Sequence, residues 1–169
     1  MNKTISSARP DGPGPIKEYD TEKEVVRLNP ISNGTVIDHL PIKTAPKIMR
    51  LLKLNFDEAV MVAINIDSKK KGKKDLIFIE GKKLTAKEVA KIALIAEGST
   101  WNIVKGKSVV SKSVIQMPKE LFGIIICNNP NCITNQEHIE TKFTIDNNKG
   151  KCYYCEREME MDDIVKSLE

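Results

Sequence analysis

Four cysteines, Cys127, Cys132, Cys152 and Cys155, account for all the cysteine in this 169-residue chain. They form two short pairs, Cys127-x₄-Cys132 and Cys152-x₂-Cys155, separated by nineteen residues, Ile133 to Lys151. Two such turns joined by a hairpin-sized span can set four thiolates at the corners of a tetrahedron. That geometry is what Zn²⁺ takes in a closed structural site, with no position left for a reactive water. The alternatives are two disulfides or four unrelated buried thiols. Disulfides suit secreted chains, and the polar start Met1-Asn2-Lys3-Thr4 is no secretory signal; it predicts a cytosolic protein. The surrounding segment of about fifty residues has few large apolar side chains, so a metal staple is the expected source of its stability. His138, between the two pairs, is expected to be a surface histidine.

Evidence for catalysis is thin. The chain has two histidines and neither a P-loop nor a glycine-rich dinucleotide fingerprint. Asp38 and His39 could join a serine in an acyl-transfer triad. Neighbours on a strand point to opposite faces, however, so Asp38 is not expected to orient His39. The basic residues offer a different chemistry. Lys69, Lys70, Lys71, Lys73 and Lys74 crowd one turn, and Lys112 stands near the end of a later strand. Such a run is most simply a solvated hairpin tip. Lysines fixed at strand ends, such as Lys74 and Lys112, can instead converge on a polyphosphate.

The elements that hold these groups follow from pattern. Gly34–Leu40 is β-rich after the Ser32-Asn33-Gly34 turn signal, and Pro46 opens a helix with Ile48, Leu51 and Leu52 on one face. Ala59–Ile66 is a near-continuous apolar run and predicts a buried strand, paired through the lysine turn with Asp75–Glu80. Thr85-x-x-Glu88 is a capping box starting a helix with Val89, Ile92, Ala93 and Ala96 on one side, and Gly98 stops it. Thr100–Val104 and Ser108–Val110 form a second hairpin. The order strand, helix, strand, strand, helix, strand, plus one strand, predicts an α+β ferredoxin-like antiparallel sheet with two helices on one face. Pro118 marks a boundary. Beyond it, Gly123–Ile126, Phe143–Ile145 and the residues after Cys155 supply a small all-β zinc ribbon, with Asp162–Leu168 open to helix or strand. Residues 1–27, holding three prolines and two glycines between Pro10 and Pro15, predict a flexible arm. The domains expected are therefore 28–118 and 119–169.

Charge separates the two. Residues 28–118 carry sixteen basic and eight acidic side chains, net +8; residues 119–169 carry six and ten, net −4; residues 1–27 balance at five and five. The first domain is the anion-seeking one. An acidic zinc ribbon weighs against nucleic-acid binding, which needs cations on phosphates, although Tyr153 and Tyr154 between the last cysteines could stack on bases. No run of about eighteen apolar residues predicts a membrane span.

The string Asn33-Gly34-Thr35-Val36-Ile37-Asp38-His39-Leu40-Pro41 closely resembles the regulatory chain of aspartate carbamoyltransferase. The resemblance continues through Gly72–Ile77, Thr100-Trp101-Asn102, Val109–Ser113 and the four cysteines, spanning roughly residues 28–169 in order. It implies a first domain that forms a homodimer and binds CTP, UTP or ATP. It implies a second domain whose Zn²⁺ shapes a surface docking on the catalytic chain, in a regulatory subunit of pyrimidine biosynthesis with no catalysis of its own. Position by position, it implies that Asp38 and His39 lie by the ribose and phosphates and that Lys112 and Lys74 meet the triphosphate. Asn102 and Val109 match further site residues, and Leu28 to Ile31 match the segment whose backbone reads the base. Phe78 stands where the best-known members have a nucleotide-contacting lysine, Asn29 replaces an acid, and Lys107 replaces a tyrosine near the base. Loss of a cation at Phe78 removes a charge-assisted hydrogen bond of about 1.5–3 kcal/mol, while a ring can stack on a base. An architectural subunit with an altered nucleotide response is therefore the alternative to the full allosteric role. A nucleic-acid-binding zinc-ribbon protein and an enzyme built on Asp38/His39 stand further off.

Overall fold

The computed structural model describes residues 32–54, 57, 59–70, 72–137 and 139–168. The arm (1–27), Asn29, the Leu28–Ile31 segment and His138 lie outside the described residues. The elements are β1 (Gly34–Leu40), α1 (Ala45–Leu51), β2 (Val60–Ser68), β3 (Gly72–Glu80), α2 (Ala86–Ala96), β4 (Thr100–Lys105), β5 (Ser108–Val114), β6 (Glu120–Phe122), α3 (Ile133–Gln136), β7 (Lys142–Asp146), β8 (Lys149–Cys152), β9 (Glu158–Glu160) and α4 (Met161–Ser167).

The first five strands form an antiparallel sheet in the order β2-β3-β1-β4-β5. Non-sequential neighbours β3-β1-β4 give the split βαβ arrangement that the element order predicts, with β5 added at one edge. Cross-strand partners share a face, so the register sorts the side chains into two layers. Val62, Ile77, Ile37 and Trp101 lie opposite one another in one row. They join Ile48 and Leu52 beside α1, and Ile92, Ala93 and Ala96 of α2, in the first core. Met61, Phe78, Val36, Asn102 and Lys112 form the adjoining row. This row faces the other way, on the side without helices.

The capping box at Thr85 closes as expected: the Thr85 hydroxyl accepts from the Glu88 amide at 3.2 Å, and Glu88 Oε2 accepts from the Thr85 amide at 2.8 Å. Each satisfies an amide that the first helical turn leaves without a partner. β2 departs from expectation. Its apolar run reads as buried, yet Ile64 and Ile66 are exposed, because β2 is an edge strand with its outer side uncovered. Near its middle Asn65 adopts a positive φ of 58°. The buried Asp75 carboxylate ties this bulge to the start of α1, accepting from the Asn65 amide at 2.9 Å and the Ala45 amide at 3.2 Å.

The second sheet, β6-β7-β8-β9, is a small antiparallel meander. Asp162–Leu168, open from sequence, is helical: α4 lays Ile164 into the second core beside Phe143, Leu121, Ile125 and the cysteines. Helix α2 serves both cores. Ile92, Ala93 and Ala96 enter the first, while Leu94 enters the second with Ala90 packed against it. Lys87 of α2 meets Glu140 at 3.6 Å, and the Met117 amide donates to Glu97 at 3.0 Å. Among the described residues no helix is long and apolar enough to cross a membrane.

Candidate metal centre and anion-binding face

The four cysteines converge. Their sulfur atoms all lie within 4.8 Å of one another, with Cys127 and Cys155 at 3.5 Å and Cys132 and Cys152 at 3.9 Å. These separations are far beyond an S–S bond of about 2.05 Å. A tetrahedral four-thiolate site with metal–sulfur bonds of about 2.3 Å has edges of about 3.8 Å, close to the Cys127–Cys155 and Cys132–Cys152 separations, so the donor set suits such an ion. Local structure sets each corner. Asn135 donates from Nδ2 to the Cys127 and Asn129 carbonyls, both at 2.8 Å, and the Cys132 amide closes a turn on Asn129. Strand β8 delivers Cys152 opposite Phe143, and a tight turn with Glu156 at φ 56° presents Cys155. The Thr134 hydroxyl donates to the Cys132 sulfur at 3.2 Å.

Without a cation the cluster cannot hold four negative charges. Burial and the neighbouring thiols push Cys127 up to about 12. Burial works to raise Cys155 too, but amide and side-chain hydrogen bonds from Arg157, Asn129 and the adjoining thiols hold it down to about 6. Cys155 ionises readily while Cys127 resists, which is the condition a bound cation relieves.

On the helix-free face of the first sheet, Lys74 Nζ lies 2.6 Å from Asp38 Oδ1, and His39 Nδ1 lies 3.1 Å from Asp38 Oδ2. Sequence reasoning put Asp38 and His39 on opposite faces, and the structure corrects this. The β1 register breaks between Ile37 and Leu40, and His39 takes a positive φ of 61°. That bulge swings the imidazole onto the side of the carboxylate it follows. The Thr100 hydroxyl also lies 3.3 Å from His39 Nδ1, and the Ser99 hydroxyl donates to the His39 carbonyl at 3.3 Å. Burial works to raise the Asp38 pKa. The Lys74 hydrogen bond, the His39 amide and the two neighbouring charges outweigh it and hold the carboxyl below its usual range. Burial and the charges of Lys74, Lys70 and Lys112 hold His39 below its ordinary value, against the pull of Asp38. Lys70, set aside in sequence reasoning as part of a solvated tip, thus belongs to the cations around this histidine.

Asn102 pairs across the sheet with Val36 on one side and Lys112 on the other. Its Oδ1 is the one buried side-chain oxygen or nitrogen among the described residues that has no hydrogen-bond partner. Val109 pairs with Val104, two residues along from Asn102, and is 59% exposed. Asp38, His39, Lys74, Asn102, Val109 and Lys112 therefore gather on one face, while Ile31 lies outside the described residues. Phe78 sits in the same row, between Met61 and Val36. Lys107 occupies the β4–β5 turn at φ 66°, its amide bonded to the Ser32 carbonyl at 3.0 Å.

Comparison with known proteins agrees with this two-part arrangement. The family model described as "Aspartate carbamoyltransferase regulatory chain, allosteric domain" matches residues 26–116, and the one described as its metal binding domain matches residues 119–165. A protein of Thermococcus sibiricus named aspartate carbamoyltransferase regulatory chain is 47% identical over 146 residues, covering 85% of this chain and 97% of its own. Proteins of the same name from Methanosphaera stadtmanae (44% identical; 84% and 96% covered) and Methanocaldococcus jannaschii (44%; 79% and 92%) are similar throughout. With both halves matched in order and the four thiolates assembled, the chain belongs to the aspartate carbamoyltransferase regulatory chain family.

Proposed function

We propose that this chain is the non-catalytic regulatory subunit of a cytoplasmic aspartate carbamoyltransferase in pyrimidine biosynthesis. It takes a nucleoside triphosphate (CTP, UTP or ATP) on the helix-free face of a domain spanning 28–118. It holds a structural Zn²⁺ in a domain spanning 119–169 that docks on the catalytic chain. The observation that carries the nucleotide reading is the Asn102 Oδ1. A buried acceptor without a donor is costly, and here it stands in one row with Lys112 on the sheet face that also bears Lys74, Asp38 and His39. A ligand with a polyphosphate tail and a donor group for Asn102 satisfies both. Lys74 and Lys112 would meet phosphates, and Asp38 would orient Lys74 while accepting from a ribose hydroxyl. Ile31 would flank the base.

Zinc suits a closed set of four thiolates better than oxygen-seeking ions do. The metal domain exposes Phe122, Ile126, Tyr153 and Tyr154, with Lys142 Nζ stacked 5.4 Å from the Phe122 ring centroid and 4.8 Å from that of Tyr153. Exposed aromatics on an acidic domain favour a protein partner over nucleic acid. The apolar outer strand β2, with Ile64 and Ile66 exposed, supports a homodimer of regulatory chains joined at that edge.

The test is carbamoyl-aspartate formation by the catalytic chain of the same organism, with and without this chain, at sub-saturating aspartate and with CTP, UTP and ATP added in turn. The chain is expected to alter the aspartate dependence, and a nucleotide to shift it further. Absence of association and of any effect on rate would overturn the reading. Phe78 favours a second reading, in which the subunit assembles but responds weakly. A response restored by Phe78→Lys would support it, and an unchanged nucleotide affinity and selectivity would count against it.

A further inference from the structure

A second basic surface lies on the opposite side of the first sheet, where the two domains meet. The last turn of α1, one face of α2 and the end of α4 enclose a cleft of about 230 Å³. Lys47, Arg50, Lys53 and Lys91 line it, over a floor that includes Ile124 and Leu168, and no carboxylate lines it among the described residues. Of these, Arg50, Lys53 and Lys91 form no ion pair among the described residues, whereas Lys47 makes an interaction of its own. The cations come from the first domain, whereas Ile124 and Leu168 pack against the second core. The cleft is complete only when the domains sit together.

Complementing helix ends does not account for this much charge. The C-terminal ends of α1 and α4 both open here, and each carries at most about half a negative charge. Their terminal carbonyls are also partly satisfied, with Ile48 accepting from the Leu52 amide and Val165 from the Leu168 amide. Three cations against roughly one negative charge leave an excess of about two positive charges beside apolar walls, where ionic interactions are strengthened. The volume lies below the roughly 300–1,000 Å³ of sites for drug-sized ligands, so it suits a compact anion and not a whole nucleotide.

We propose that this interdomain cleft is a second anion site, separate from the nucleotide face, that binds a phosphoryl group through Arg50, Lys53 and Lys91. An anion there bridges cations of one domain across the floor supplied by the other, and so favours the docked arrangement of the two.

The experiment titrates pyrophosphate calorimetrically into the full, zinc-loaded chain at about 0.15 M salt, where exposed charges are largely screened. Wild type is expected to show two sites. Arg50→Gln with Lys91→Gln should weaken one of them about tenfold or more for each cation removed and leave CTP binding intact. Lys112→Gln should weaken the other together with CTP. Trp101 fluorescence and zinc content verify that both variants fold. Displacement from the Arg50 site by inorganic phosphate and not by CTP supports a site for a compact phosphoryl group, whereas displacement by CTP alone would join the cleft to the nucleotide's own site and overturn its separateness. An Arg50→Gln/Lys91→Gln protein that titrates as wild type overturns it, as does a single pyrophosphate site abolished by Lys112→Gln. If wild type binds no anion and the double variant instead loses assembly with the catalytic chain, the cleft belongs to an acidic protein surface and the proposal fails.

Discussion

The Asp38–Lys74 pair should be worth far more than an ordinary surface ion pair, and a double-mutant cycle can measure it. The perturbations are Asp38→Asn, Lys74→Met and both together. Asparagine keeps an oxygen to accept the His39 amide, which lies 2.6 Å from Asp38 Oδ1, so the cycle isolates the Lys74 contribution. At 2.6 Å and an effective dielectric near 20, the bare attraction is about 6 kcal/mol, an upper bound set against desolvation of both ions. The side chains are 15% and 18% exposed, so water still reaches the pair. A coupling of about 2 kcal/mol is expected: above the ~0.2–1 kcal/mol of exposed pairs and below the ~3–5 kcal/mol cost of breaking a fully enclosed one. Trp101, the one tryptophan, sits in β4 against the first core, so its fluorescence in urea follows this domain alone. For a urea slope near 2 kcal/mol/M, that coupling corresponds to a midpoint shift of roughly 1 M. A coupling under about 0.5 kcal/mol would mean that the pair is solvent-screened and that Asp38 does not hold Lys74 for a ligand.

Chelation of the metal, or Cys152→Ala, should unfold the second domain and abolish docking on the catalytic chain while Trp101 still reports a folded first domain; docking retained after verified metal loss would place the interface elsewhere. CTP affinity should rise as pH falls from about 8 to 5.5, because His39 is held below its ordinary value in the free protein and the arriving phosphates raise it. The gain is complete below the free-state pKa and lost as pH rises through the bound-state one, and a His39→Gln profile as steep as wild type would exclude the imidazole as its source. Gly34→Ala should destabilise the first domain by about 3 kcal/mol or more, since φ is +150° and an added Cβ would stand 2.1 Å from the Ile79 carbonyl oxygen; a loss under about 1 kcal/mol in the Trp101 melt would contradict the β1–β3 register.

Much of this molecule was legible in its residues because the signals were local. The Cys-x₄-Cys and Cys-x₂-Cys turns, the Thr85–Glu88 capping box, and the Ile92/Ala93/Ala96 stripe each act within a few residues, so spacing alone identifies them. The element order then constrained the sheet, because few topologies bury that succession of strands and helices. What depended on neighbours distant in the chain was decided only by the tertiary structure. Alternation placed Asp38 and His39 apart, yet a bulge brought them together, because pairing with β3 and β4 overrides the ideal pleat. The apolar run of β2 promised burial, but edge position is set by strand order and not by composition. Leu94 gave no sign that α2 would serve a second core, since that face has a partner only once α4 packs there. Residue type and spacing thus determined the four-cysteine set that could hold a metal and the net charge of each segment. Which face of the sheet gathers Lys74, Asn102 and Lys112, and how two domains make one cleft, depended on register and packing between segments far apart in the chain.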